Sequence, residues 1–476
     1  MALSLTGFTG ACLDIRGPRG GLTGARALEL GASVLSGERL DYERVVLSTW
    51  GFSVEAADVF ADVISRLPKL RSVVIADIIA GRPEAEGLAV YRSLGAALRK
   101  HELEELDFSD NAVGTKGVEA CRDFLAAAQP TLQRIFYCNC GISAEAARSI
   151  ADVLCARMPT ALRVIHFDNN MSGGGGASAV ADIVAVSPGL VDFRFTSSRG
   201  TVDGGVALAR AFLYNPSIEK INLHDNIFTA PSAVALGLTL RSLSSLRHLD
   251  VGDTLVKDSG MAAIAAGLTG TPLLTHLDVS ENELTPRGAR SLAIAISRLP
   301  TLETLIAHGN EFGLDGAVAI VHALRAAAAE GRHLHEVILG SCELGSVAAV
   351  AVVEAVANSP LIRIVDVSNN ELSAAGIVRA RAALVTGGHN ASKLRLEDGE
   401  EDEASEDDNE EDEALVGIIV VDAVVSKAFV QTLVEVAEAK AAAAAAATTS
   451  STSASSSSDI DAALSAAVKS INIAAN

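Results

Sequence analysis

The sequence predicts an α/β solenoid: one unit, a short strand followed by a helix, stacked many times over. Three observations predict it. First, an apolar pattern recurs. Leu103, Leu106, Phe108, Asn111 and Val113 stand at relative positions 1, 4, 6, 9 and 11, and Leu132, Ile135, Tyr137, Cys140 and Ile142 repeat those offsets. Second, position 9 can be followed along the chain as Trp50, Ile78, Asn111, Cys140, Asn170, Ser198, Asn226, Thr254, Asn282, Asn310, Cys342 and Asn370, mostly 28 residues apart. Third, hydrophobic residues make up 49% of the chain but aromatic ones only 4%. The core must be filled by Leu, Val, Ile and Ala, which suits repeats that each contact only their neighbours.

The physical logic of the unit is short. Positions 1, 4 and 6 turn an apolar set inward from a strand, position 9 bonds backbone groups left bare by the turn, and position 11 re-enters the core. This is the leucine-rich-repeat pattern, and a period near 28 leaves room for a full helix per unit. The expected form is a ribonuclease-inhibitor-like horseshoe with a concave parallel sheet and outer helices. In chain order, residues 1–41 lack the ladder and read as an N-terminal cap, with a helix over Gly24–Leu35. Twelve repeats follow over residues 42–385, the first with the atypical Trp50 at position 9. Helices are expected at Gly117–Ala128, Ser259–Leu268, Ala289–Leu299 and Ala317–Ala329. The glycine run Gly173–Gly176 follows a repeat turn and reads as a longer connection, not a phosphate loop. Residues 386–414 read as an acidic disordered segment. Residues 415–476 read as a tail with a helix near Leu415–Lys440 and an Ala/Ser-rich linker.

Charge narrows the partners. Of the net charge of −21, the run Glu397–Glu413 supplies −13, leaving −8 for everything else. Nucleic acid is excluded, because it needs clustered Lys and Arg; a basic protein fits better. Acids recur at fixed relative positions: Asp107, Asp250, Asp278 and Asp366 at position 5, and Asp110, Asp225, Asp253 and Glu281 at position 8. They are expected to point outward as a solvated face or a landing surface. The six cysteines show no zinc spacing, and Cys138 and Cys140 read as the outward and inward residues of one turn. No signal peptide or membrane span is evident, so a reducing, intracellular compartment and no membrane insertion are expected. His166, His224, His248 and His308 are scattered without a nucleophile partner. On residues alone, the chain is a monomeric, non-enzymatic, protein-binding scaffold, comparable to ribonuclease-inhibitor-like proteins.

Several strings are not dictated by the ladder. LDFSDNAVGTKGVEACRDFL, LQRIFYCNCGISAEAARSIADVL and IAGRPEAEGLAVYRSLGAALR are among them, with LRVIHFDNNMSGGGGA and SPGLVDFRFTSSRGTVDGG. In these the chain resembles the RanGAP family, the activators of the Ran GTPase, and its plant branch most. An acidic block after the repeats is a further family trait. The resemblance implies a GTPase activator that binds GTP-loaded Ran. In such a reaction Mg²⁺ and GTP are held by the partner and no cofactor by this chain. It implies that the activator orders the switch region and orients the GTPase's own glutamine without an arginine finger, in support of nucleocytoplasmic transport. The residue matching the family's catalytic position is Asn139, in FYCNCG. Arg82, Asp110, Asn169, Asp225 and Asp253 are the expected partner-binding residues. A Ran-binding protein is a further expected partner, and the expected location is cytoplasmic, perinuclear or at the nuclear envelope. No Trp-Pro-Pro targeting motif occurs, so a minimal activator is expected.

Overall fold

The computed structural model describes residues 10–396. The expectations for Glu397–Glu413 and for the tail from 415 onward lie outside them. The described residues form two compact units that divide between Gly200 and Thr201.

In the first unit, seven strands run parallel in chain order: β1 (Cys12–Leu22), β2 (Arg44–Phe52), β3 (Ser72–Ala76), β4 (Glu105–Asp107), β5 (Arg134–Phe136), β6 (Val164–Asp168) and β7 (Asp192–Thr196). The second unit repeats the design with β8 (Lys220–Asn222), β9 (His248–Asp250), β10 (His276–Asp278), β11 (Thr304–Ile306), β12 (Glu336–Ile338), β13 (Ile364–Asp366) and β14 (Leu394–Arg395). A helix follows every strand except β14, which closes the described residues, and in β1 a single break splits that helix. This is an α/β leucine-rich-repeat solenoid.

The twelve units legible in the sequence own β2 to β13, and the chain adds a strand at each end. β1 lies inside the stretch expected to be only a cap. Its Gly-Pro-Arg-Gly-Gly run bulges between Arg16 and Gly20, where the register with β2 shifts. The bulge makes room for Trp50, whose Nε1 donates to the Ile15 carbonyl at 3.1 Å. A Cβ on Gly17 would fall 1.9 Å from the indole ring, so only glycine fits beneath it. Trp50 is therefore half-buried against β1, not a buried ladder residue. The helix expected over Gly24–Leu35 breaks at Gly31 into Gly24–Leu30 and Ala32–Leu35. At the other end, residues 386–396, expected to belong to the acidic segment, fold into a short turn and β14, paired with β13.

The ladder works as its chemistry requires. Asn111 Oδ1 accepts from the Ile78 N–H at 3.0 Å, and its Nδ2 donates to the Ile75 and Phe108 carbonyls at 2.7 and 2.8 Å. Asn282 does the same with Thr254, Val256, Val251 and Ser280. Cys140 and Cys342 keep only the donor half, each giving its thiol hydrogen to the preceding unit at 3.2 Å. Burial pushes the Cys342 thiol up to about 12, which suits an inert structural group.

The strand face away from the helices differs from expectation. Asp107, Asp250 and Asp278 are buried, and Asp366 is half-buried. Each carboxylate accepts the backbone N–H two residues on: Ser109 at 2.9 Å, Gly252 at 3.0 Å, Ser280 at 2.9 Å and Ser368 at 3.1 Å. These position-5 acids brace the start of each turn and are not a landing surface. Beside them, Glu105 is held by Arg44 and Arg134 at 2.7 Å each and by Ser72 at 2.8 Å, tying β2 to β5 across the first unit.

Candidate functional site

Position 8 is the point where each unit turns. All twelve position-8 residues, from Thr49 to Asn369, have φ between 45° and 67°. Asn, Asp and Gly tolerate this left-handed conformation best, which gives Asp110, Asn139, Asn169, Asp225 and Asp253 a backbone reason to be there. The backbone at this point is pinned. The Asp110, Asn139 and Asn169 N–H groups donate to carbonyls of the following unit at 2.8, 2.8 and 3.0 Å. Each of these side chains is exposed. Between them, Asn139 Nδ2 donates to Asp110 Oδ1 at 3.0 Å and Asn169 Nδ2 donates to Asn139 Oδ1 at 3.3 Å. The structure thus joins three of the sequence-predicted residues in one hydrogen-bonded row on the turn edge of the first unit. Asn139 faces outward, while its neighbour Cys140 is fully buried.

Arg82 stands apart from that row but close to its start. It sits in the loop after β3, where Gly81 takes a φ of +70°. Its guanidinium bonds Glu86 Oε1 at 3.2 Å and the Gly51 carbonyl. It therefore clamps this loop to the turn of the preceding unit, with a side chain only 22% exposed. A cleft of about 570 Å³ lies between this loop and the next turn, lined by Ile79, Arg82, Pro83, Asp110, Val113 and Lys116 among others. The exposed pair Lys116–Glu84, at 2.6 Å, links its two sides. No motif marks this cleft, because residues 79–91 and 110–116 line it from two successive repeats.

Asp225 and Asp253 belong to the second unit. Asp225 is exposed and Asp253 half-buried. Burial, then the charges of Asp225 and Glu281, hold the Asp253 carboxyl above the usual range. Behind them His224, Asp250 and Asp278 come together from three successive units, with ligating atoms within 4.8 Å of one another. The set is satisfied internally. His224 Nδ1 lies 3.2 Å from Asp250 Oδ1, and Asn222 Nδ2 donates to the other Asp250 oxygen at 2.8 Å. The bond to Asp250 lifts the His224 pKa from 6.5 to about 9. Sequence spacing hid this group, because His224 stands at position 7 of its repeat and Asp250 and Asp278 at position 5 of the next two.

The shift has a testable sign. A histidine whose native pKa lies above its unfolded value stabilises fully below the unfolded pKa, and that contribution fades as pH rises through the native one. His224→Gln should flatten the pH dependence of the thermal midpoint between about pH 6.5 and pH 9. Midpoints measured at pH 6, 8 and 9.5 on both proteins check it; parallel curves would refute the ion pair.

Among the described residues, no helix is long and apolar enough to cross a membrane. A leucine-rich-repeat family model matches residues 100–120, 242–265 and 272–293. Among curated proteins, the chain is similar to RAN GTPase-activating protein 1 of Arabidopsis thaliana, 40% identical over 18% of this chain and 16% of that one. It is also similar to Ran GTPase-activating protein of Drosophila melanogaster, 28% identical over 35% of this chain and 30% of that one. Ran GTPase-activating protein 1 of Xenopus laevis is 34% identical over 27% of this chain and 24% of its own length. The matched stretches span less than a third of each relative. Among solved structures, the crystal structure of the yeast Rad7 and Elc1 complex aligns over 81% of this chain and 86% of that one, with a TM-score of 0.46 and 13% identity.

Proposed function

We propose that this chain, a leucine-rich-repeat protein whose curated relatives are Ran GTPase-activating proteins, activates a Ran-type GTPase in its GTP form. One observation supports the reading above the others: the Asn139 amide, exposed on a rigid left-handed turn and fixed by neighbours on both sides. Such an amide donates and accepts at once, which suits alignment of a partner's glutamine side chain. The chemistry then belongs to the GTPase, whose own site holds GTP and Mg²⁺. This chain orders the switch region and holds that glutamine in place. Arg82 is not a finger in this reading. Its guanidinium is engaged on Gly51 and Glu86, so it shapes the loop that borders the partner. Asp110 and Asn169 flank the amide, and on the second unit Asp225 and Asp253 supply an acidic rim for a basic protein surface such as that of a Ran-binding protein.

The test is a single-turnover assay. Purified chain is mixed with GTP-loaded Ran, and phosphate release is followed. Activation predicts acceleration of at least about a thousandfold. Binding without acceleration would leave the alternative, a scaffold that docks a basic protein through its acidic rim. Neither binding nor acceleration would reject both.

A further inference from the structure

The row on the turn edge has a direction. Asn169 donates to Asn139, and Asn139 donates to Asp110. A half-turn about its terminal bond exchanges the oxygen and nitrogen of an amide, and only the partners distinguish the two states. Here the partners do so. An ionised carboxylate offers acceptors and no donor, so the end of Asn139 that faces Asp110 must be its NH₂. Its oxygen then faces Asn169, which must meet it with NH₂ in turn. One charge at one end of the row sets the polarity of both amides.

From this we propose that Asp110 is a positioning residue: it fixes which end of the Asn139 amide meets the partner, and it acts on the reaction through that amide instead of by contact of its own. The proposal rests on the functional reading above and deepens it. With both bonds made, Asn139 keeps one N–H and one oxygen lone pair for the partner. Their order along the edge is set by Asp110. If the amide turns over, a donor stands where the partner's glutamine needs an acceptor. The backbone cannot correct this, because the Asn139 N–H is pinned to the Asp168 carbonyl at 2.8 Å.

Asp110→Asn is the sharp variant. Asparagine accepts the left-handed φ of 60° at this position as readily as aspartate, so the turn survives. It can also donate, so the polarity is no longer dictated. Stimulated single-turnover hydrolysis at saturating chain should fall about tenfold, the difference between a charge-assisted bond and a neutral one. The concentration for half-maximal stimulation should barely move. In an Asn139→Ala background the same change should do nothing further. An equal loss in both backgrounds would mean that Asp110 acts on its own and would overturn the proposal. A second readout does not depend on activity. The side-chain NH₂ resonances of Asn139 should shift on Asp110→Asn, and unmoved resonances would overturn the polarity argument. If the unmodified chain fails to accelerate hydrolysis while those resonances do shift, the functional reading falls and the amide polarity stands.

Discussion

Asn139→Ala should lower the stimulated rate of GTP hydrolysis by about a hundred- to a thousandfold, the range seen when one preorganised hydrogen-bonding group is removed from a reacting centre. The fold should not register the change. The side chain is exposed, and the bonds it makes, to Asp110 and from Asn169, are between solvent-facing groups. The left-handed φ of 55° makes alanine somewhat less comfortable than asparagine, so a loss of about 1 kcal/mol in stability is the most to expect. Phosphate release and thermal unfolding measured on the same preparation decide the matter. A rate within threefold of the unmodified chain would remove Asn139 from the mechanism.

The opposite profile belongs to Asn111, one unit earlier and one position further along the turn. Asn111→Ala deletes an acceptor from the Ile78 N–H and a donor from the Ile75 and Phe108 carbonyls, all of them buried. The Phe108 carbonyl keeps the Cys140 thiol as a donor, so the Ile78 N–H and the Ile75 carbonyl carry the loss; at about 1–3 kcal/mol for each orphaned buried group, a total of about 4 kcal/mol is expected. Asn111→Cys should lose less, about half, because a thiol keeps one donation, as Cys140 does in the next unit. Urea unfolding of the three proteins gives the order. Hydrogen exchange at the Ile78 amide locates the damage, and protection unchanged in Asn111→Ala would contradict the ladder.

How much of this was legible depends on which contacts the repeat dictates. The apolar offsets and the position-9 series identified β2 to β13, because each unit needs the same inward set. β1 was hidden because its Gly-Pro-Arg-Gly-Gly run lacks the ladder pattern, and that run serves instead to seat Trp50. The position-5 acids were misread for a different reason. Strand alternation sends Asp107, Asp250 and Asp278 outward, and neighbouring strands in register then bury them over a backbone N–H. Among the site residues, Asn139 was singled out by resemblance, and its exposure agrees with its place beside a ladder residue. The bonds to Asp110 and Asn169 span 29 and 30 residues. They become visible only when successive units are laid side by side. The cleft beside Arg82 has no sequence counterpart at all, since it is a gap between two loops.

The chain reverses hand at the same place in every unit, whatever residue stands there: Thr49, Ser197 and Ser341 adopt it as well as the asparagines and aspartates. What is displayed at that edge is thus decoupled from what holds the array together. Single replacements among small polar residues can rewrite a line of projecting groups, one letter at a time, at no more than the cost of one left-handed residue, about 1 kcal/mol. Recognition of a new protein would then be acquired by editing that line, and the solenoid would remain a neutral carrier for it.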